Sequence, residues 1–536
     1  MTRSLARRLS LTAGHTAAAL DVHAPGLTAP FTAALPVAAD IVGRRLRGAL
    51  VRERIVPPGP GGRVHAFGRV EYPAAGAADP ADLLPARLPG AAGLAAELRN
   101  AVVNLAVAMT RQEHALPGGD PDADAIAGER LAVAGHNLHP CGRTRLGWDT
   151  SDVLAHDLEA GHTRLGFVAV RDDAHLGDDV GQVLRGAYPW LSAPPPGYRL
   201  LPVHAWQRDA VLRSRYAALL ADGVMRILDD ELDAVPTAAL RTLLLPAAAD
   251  GSRRYVKVSL DIQVTSTRRS ISVASTRNGA PVSALLHRLV AEDPDAGRLL
   301  LMAEPAGAAV PAGSGRDVSA IMRDGLTGRL EPGERAVAGG ALPFVAGELV
   351  AAFARTTGRA AGPGAAGAFL DAYARLVLPP LLRLTLRGVA LEAHLQNCLP
   401  TFVAGVPHRL AVRDFAGLRL HPGRLAAAGH HVELWPGSVV GTADEEVLRA
   451  KIGYTAFQAH LGELIIRLAD GGLAEDAAWR IVRAVVDEVY DAVGGPGPDH
   501  AAFTAPTVPH KALVRMRLAG AGDEYLPVEN PLHARA

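Results

Sequence analysis

Arg254-Tyr255-Val256-Lys257-Val258-Ser259-Leu260-Asp261-Ile262-Gln263-Val264-Thr265-Ser266-Thr267-Arg268-Arg269 carries the plainest structural signal in the chain. Val256, Val258, Leu260, Ile262 and Val264 alternate with Lys257, Ser259, Asp261, Gln263 and Thr265, which is the period of two of a half-buried strand. One face packs, and the other presents Lys257, Asp261, Gln263 and Thr265 together. An ordinary strand meeting water on its polar face has this pattern too. A lysine on that face, with an arginine beyond the strand end, suits the clamping of phosphates. Because the chain around this strand has helical periodicity, the expected class is α+β.

Outward from the strand, the Ala95–Met109 stretch has apolar residues at helical spacing. An apolar run, Leu376–Leu399, predicts a helix that starts at Pro379-Pro380, since proline is tolerated in a first turn. On it His394 and Asn397, three apart, share a face. A third helix is predicted over Asp444–Leu468, with Leu448, Ile452, Phe457, Leu461, Leu464 and Ile465 as its stripe. Gly/Pro-rich punctuation at Pro57–Gly62, Pro117–Asp124, Pro194–Gly197, Pro305–Gly315 and Gly358–Gly367 suggests three regions: 1–125, 126–335 and 336–536.

Composition excludes several classes. The 536 residues hold 55 Lys+Arg against 55 Asp+Glu, so nothing in the bulk charge favours a nucleic acid or an anionic membrane. Cys141 and Cys398 form no disulfide framework and no zinc spacing. Residues 1–20 carry Arg3, Arg7 and Arg8, but Gly14 and His15 interrupt any signal-peptide apolar region, and no membrane-spanning run is expected. The expected compartment is the cytoplasm. None of the three lysines follows a glycine, so a P-loop is absent, and there is no G-x-S-x-G elbow. Gly362-Pro363-Gly364-Ala365-Ala366-Gly367 matches G-x-G-x-x-G, but no strand precedes it and it is read as linker. His136 and His139 lack the H-E-x-x-H pattern of zinc peptidases.

What remains is a set of clusters suited to oxyanions. Gly135–Gly147 packs His136, His139, Arg143 and Arg145 between glycines. Pro236–Thr242 ends in Arg241-Thr242 and is followed by Lys257 and Thr265–Arg269. Glu392–Asn397 contains His394, Gln396 and Asn397. Arg413–Gly417 contains Asp414, which with Asn397 could supply oxygen ligands to Mg²⁺. Against 52 arginines the persistence of Lys257, Lys451 and Lys511 is itself a signal, favouring Lys257 foremost, while Lys451 reads as a solvated helix position.

In order, these clusters resemble the IucA/IucC family of NRPS-independent siderophore synthetases, related to aerobactin synthetase, from about residue 130 to the C-terminus. The family motifs G-H-P-x-H-P-x-x-K-x-R-x-G, H-P-W-Q, S-x-R-T, K…T-S-x-x-R, H-x-Q-N and R-D-x-x-G stand here as Gly135–Gly147, His204–Gln207, Ala239–Thr242, Lys257…Thr265–Arg269, His394–Asn397 and Arg413–Gly417. Asn137, Arg143, Ala205 and Ala239 depart from them.

The resemblance implies a cupped hand, helix-rich with an antiparallel sheet in the fingers: a thumb over 1–125, fingers over 126–335 and a palm over 336–536. It implies that ATP adenylates a carboxylic acid, such as citrate or a citrate or succinyl derivative, and that an amine or alcohol then displaces AMP. Arg269 and His394 are the implied catalytic residues, bridging the α-phosphate and the carboxylate. Arg241, Thr242, Lys257, Arg143, Arg145 and Asn397 fall to ATP; His136, His139, Thr265 and Gln396 to the substrate carboxylate; Asn397 and Asp414 to Mg²⁺. Family members are often homodimers. Two other readings stay open: a scaffold that binds nucleotide or an intermediate without turnover, and a phosphotransferase yielding ADP.

Overall fold

The computed structural model describes residues 2–111, 119–520 and 522–533, with side chains from residue 9 onward. Residues 117 and 118 of the expected Pro117–Asp124 linker lie outside the described residues.

Three helices, Thr2–His23, Thr28–Arg52 and Ala91–Thr110, form the N-terminal layer, and Leu46, Leu50, Leu98 and Val102 fill their shared core. A short hairpin, Arg63–Val64 with Val70–Glu71, follows the second helix. The middle of the chain builds an eight-stranded antiparallel sheet. Edge to edge its order is Leu176–Gly177, Ala306–Ala309, Ser319–Asp324, Arg254–Val258, Thr242–Leu244, Met225–Pro236, Thr163–Arg171 and Tyr198–His204. Valines such as Val168, Val203, Val256 and Val258 supply the β-branched core of this sheet.

The long alternating stretch is not one strand. It divides at Ser259 into Arg254–Val258, inside the large sheet, and Leu260–Val264, which pairs with Thr267–Arg269 and, through Gln263, bridges Leu146. Ser259 is held on three sides: its N–H donates to Ser319 O (3.0 Å), its Oγ donates to Arg316 O (2.6 Å), and Oγ accepts from Ile271 N (3.2 Å). The break sends the two halves to different cores. Val256 and Val258 pack within the sheet, whereas Leu260, Ile262 and Val264 pack on the N-terminal helices. The expected solvated polar face is also corrected, because Lys257 is only 2% exposed.

The C-terminal region is organised on the helix Pro363–Leu386, whose buried Phe369, Tyr373, Leu376 and Leu381 belong to a core shared with Leu342–Thr357, Glu475–Ala492 and the strand Val406–Val412. Gly362 caps it, so the glycine cluster read as linker is its first turn. Pro379 and Pro380 lie inside this helix rather than at its start. Pro379 has no N–H for Arg375 O, and Arg298 Nη1 stands 3.5 Å from that carbonyl instead. The predicted Leu376–Leu399 helix therefore ends at Leu386. Beyond Gly388 (φ +95°) the chain turns into the strand Val389–Ala390, a 3₁₀ turn over Leu395–Asn397 and the strand Cys398–Val403. That strand joins a four-stranded mixed sheet ordered Leu299–Leu301, Val406–Val412, Cys398–Val403, Glu334–Ala336. The Asp444–Leu468 expectation corresponds to a continuous helical rod, Glu445–Ile452, a π-helical Gly453–Leu461 and Gly462–Asp470.

Two helical stretches, Pro25–Arg52 and Pro363–Leu386, reach the length and hydropathy of a membrane span by length and composition alone. The second is mostly buried inside the protein, and the first packs Phe31, Val42 and Leu46 against its neighbours. The chain closes on itself: Val514 enters the N-terminal core, and Glu53 accepts from Val514 N (3.0 Å) and Arg515 N (2.8 Å) at the start of the Leu513–Ala519 helix.

Candidate active site

A cavity of about 470 Å³ opens where the three regions meet. Arg45, Arg69 and Glu71 line it from the N-terminal region, His136 and Arg269 from the middle, and His394, Gln396 and Glu463 from the C-terminal region.

The Gly135–Gly147 loop folds on its glycines. Gly135 has φ +67°, and a Cβ there would stand 2.6 Å from Gly142 O; a Cβ on Gly142 would meet Ala134 O at 2.6 Å. This close approach orients the two histidines differently. His136 Nδ1 accepts from Leu138 N (3.1 Å) and His139 N (3.2 Å), so the neutral ring carries its proton on Nε2. Burial, then His139 and His394, hold His136 well below the ordinary imidazole range. His139 uses both nitrogens inside the fold, Nδ1 accepting from Cys141 N (3.0 Å) and Nε2 pairing with Ser266 Oγ (2.7 Å). Its ring does not line the cavity; it ties the loop to the Thr265–Arg269 turn. Arg143 and Arg145 border the cavity but are matched to acids, Arg143 with Glu159 and Asp157, and Arg145 with Asp157 (2.8 Å). The guanidiniums expected to be open to oxyanions are thus neutralised, as burial of a charge requires.

Arg241, Thr242 and Lys257 are not among the residues that line the cavity, and Thr242 and Lys257 are buried. Lys257 Nζ is 2.7 Å from Asp414 Oδ1, Arg323 Nη2 is 3.6 Å from Asp414 Oδ2, and Arg323 pairs with Glu304 (2.8 Å). Burial alone would raise Asp414, but Lys257, Arg323 and Arg241 outweigh it and hold the carboxyl far below its usual range. Arg241 Nη1 donates to Ser270 O (2.7 Å), and Thr242 Oγ1 is buried with no partner among the described residues. Arg269 reaches Thr265 Oγ1 at 3.4 Å, while its buried Nε has no partner among the described residues. Burial, then Arg241 and Arg145, push Arg269 down to about 9. Backbone strain concentrates here: Leu240 (φ +63°), Thr265 (φ +56°) and Asp414 (φ +66°) are non-glycine residues in the left-handed region, at a cost of roughly 1–3 kcal/mol each.

His394 and Asn397 do not share a helix face. His394 precedes a 3₁₀ turn in extended conformation, and the turn aims His394 and Gln396 into the cavity. Asn397 turns away, donating from Nδ2 to Glu392 O (3.1 Å). Arg413 Nη2 clamps the turn through Gln396 O (2.9 Å) and pairs with Glu129, whose other oxygen accepts from Ala238 N (2.7 Å). Glu129 thereby joins the Arg241 loop to the His394 turn. Lys451 is buried and pairs with Glu392 at 2.9 Å, correcting its reading as a solvated position. Burial would raise Glu392, but Lys451 and His394 hold it at about 2. His394 itself is pushed down, mainly by burial.

Glu129, Glu392 and the cavity-lining Arg45, Arg69, Glu71 and Glu463 had no local sequence signal, because an acid or arginine in an amphipathic helix or a short turn looks the same whether it faces solvent or a cavity. For Mg²⁺, Asp414 is neutralised by Lys257 and Arg323 and does not fit an ion held by the protein alone, while Asn397 donates to Glu392 O through Nδ2. Among the described residues no group of three or more His, Cys, Asp or Glu is placed to hold a metal.

Residues 124–343 match the IucA / IucC family model, and residues 367–526 match that of the ferric iron reductase FhuF-like transporter. The uncharacterized protein y4xN of Sinorhizobium fredii is 27% identical over 67% of this chain and 63% of its own length. The D-ornithine–citrate ligase of Staphylococcus aureus is 23% identical over 76% of this chain and 70% of its own. In fold, the petrobactin biosynthesis protein AsbB of Bacillus anthracis matches 95% of this chain and 98% of its own with a TM-score of 0.79 at 20% identity. ATP-bound aerobactin synthetase IucA of Klebsiella pneumoniae matches 92% and 99% with a TM-score of 0.72, also at 20% identity. The Gly135–Gly147 loop and the Arg254–Arg269 stretch fall inside the IucA / IucC match and the His394 turn inside the FhuF-like match, so residues 124–343 of this chain are similar to the IucA / IucC family.

Proposed function

We propose that this protein is an ATP-dependent ligase of siderophore-type biosynthesis that adenylates a carboxylic acid, citrate or a citrate or succinyl derivative, and joins it to an amine or alcohol. The observation that carries this reading is the convergence of Arg269, His136 and His394 on one cavity, with Arg269 unmatched by any acid. Carboxylate attack on the α-phosphorus brings two anions together, so a fixed cation and N–H donors must screen them. A carboxylate oxygen bonds to phosphorus and pyrophosphate leaves. The nucleophile, arriving neutral, then attacks the acyl carbon, loses its proton, and AMP departs with that oxygen. Arg269 supplies the charge; His394, kept neutral by burial, offers an N–H to the same oxygens. Gln396 and Thr265 border the carboxylate, and the orphan Thr242 hydroxyl marks the side toward ATP. Mg²⁺ would arrive on the triphosphate as part of the substrate.

The ligase activity of the Staphylococcus aureus relative and the ATP of the Klebsiella structure support the reading. Within it, 1–125, 126–335 and 336–536 serve as thumb, fingers and palm of a cytoplasmic homodimer. A second reading, binding without turnover, is favoured by the burial of Lys257 away from the cavity lining and by Ala239 in place of the motif serine. Incubation with ATP, Mg²⁺, hydroxylamine and a panel of citrate, 2-oxoglutarate and succinate separates them. Carboxylate-dependent AMP and pyrophosphate, lost in Arg269→Ala and His394→Ala, supports the ligase; ATP binding without cleavage supports the second reading.

A further inference from the structure

Eight arginines line the cavity, and six of them are matched within the fold. Arg69 pairs with Glu463 and Glu71, Arg467 with Glu71 and Asp470, Arg44 with Asp40, Arg413 with Glu129, and Arg143 and Arg145 with Glu159 and Asp157. Of these eight, Arg45 and Arg269 alone have no carboxylate within 4.0 Å among the described residues. Each acid lining the cavity is taken in turn: Glu71, Glu463 and Glu129 all face arginines. The uncompensated charge in this space is therefore positive and resides on two guanidiniums.

Arg269 belongs to the motif set. Arg45 comes from the middle of the Thr28–Arg52 helix, in the region whose sequence offered no chemistry. Its Nη1 donates to Ala134 O (2.6 Å) and His136 O (2.9 Å), which pins the guanidinium beside the Gly135–Gly147 loop. Nε and Nη2 are left without a partner among the described residues. Burial, then Arg69, lower it to about 10, so it is charged at neutral pH. Both Arg45 and Arg269 act on the His136 ring, which lies between the thumb and the fingers turn and points an N–H donor from Nε2. A planar fork with free N–H groups beside such a donor matches a carboxylate.

We infer that Arg45 is a carboxylate-binding residue of the cavity, holding a carboxylate other than the one that is activated. This rests on the function proposed above. The carboxylate has two sources, a second arm of a polycarboxylic acid or the carboxylate of an amino-acid nucleophile.

The test compares wild type, Arg45→Lys and Arg45→Met. Calorimetry with citrate and, separately, with ATP is expected to show citrate binding at least tenfold weaker in Arg45→Met, intermediate in Arg45→Lys, with ATP affinity within twofold and an unchanged Tm. Pyrophosphate release with hydroxylamine, which has no carboxylate, isolates the acid: a raised KM for citrate assigns Arg45 to it. An unchanged KM for citrate with a raised KM for ornithine but not for putrescine assigns Arg45 to the nucleophile and also supports the inference. If no KM or affinity moves, or if citrate and ATP weaken equally along with a lower Tm, Arg45 merely braces the loop and the inference is overturned. Wild type that binds citrate in an Arg45-dependent way yet releases no pyrophosphate would defeat the proposed function and leave Arg45 standing.

Discussion

Lys257 Nζ lies 2.7 Å from Asp414 Oδ1, linking the central sheet to the turn after the strand Val406–Val412. The pair is almost free of water on the lysine side, with Lys257 2% exposed. Removing one partner strands a charge, whereas removing both does not. Asp414→Leu should lower unfolding free energy by about 3–5 kcal/mol, and Lys257→Met with Asp414→Leu should cost less than the sum of the two single changes. Urea denaturation of the four proteins measures this coupling; strict additivity would mean the pair is not coupled.

Glu129 holds the Arg241 loop and the His394 turn at once, through Ala238 N and Arg413. Glu129→Gln keeps the shape but weakens the charge on Arg413. A displacement of about 1 Å in either segment is enough to slow a positioned reaction by roughly 10²-fold. The variant should lose at least tenfold in kcat/KM with ATP and acid, together with about 2–4 kcal/mol of stability. Equal stability with normal kcat/KM would remove Glu129 from the site's framework.

Buried neutral histidines set an acid limit. Burial, with Arg269 and Arg45, pushes His139 down to about 3, and burial with His156 does the same to His204. In the unfolded chain both protonate near pH 6.5. Their contribution to stability is therefore complete above pH 6.5 and is lost as pH falls from there toward 3, at up to ~1.4 kcal/mol per pH unit for each ring. Urea midpoints at pH 7, 6 and 5 should fall accordingly, and His204→Asn should flatten the slope. A slope unchanged in the variant would show that His204 is not held neutral.

The helix Ala91–Thr110 and the segmented rod from Glu445 to Asp470 were legible because apolar residues recur at helical spacing along each. The split at Ser259 was not. Alternation persists across it, and the three hydrogen bonds that divide the strand come from residues 12 to 60 positions away. The His394 turn was misread because the apolar run continues past Gly388, while the helix carries Pro379 and Pro380 in its interior, with Arg298 reaching the carbonyl that Pro379 leaves free, and ends at Leu386. The motif residues themselves were recognisable, yet which of them face the cavity depends on partners such as Asp157 for Arg145 and Asp414 for Lys257, which no local pattern marks.

The central claim is that the acid's own oxygen is transferred to the α-phosphorus of ATP beside Arg269 and His394. Citrate labelled with ¹⁸O in its carboxylates, reacted with ATP and an amine and followed by mass spectrometry, tests it directly. The account predicts one ¹⁸O in the AMP released, none in pyrophosphate, and no labelled AMP with Arg269→Ala. Label in inorganic phosphate alongside ADP would contradict it and assign the cavity to phosphoryl transfer.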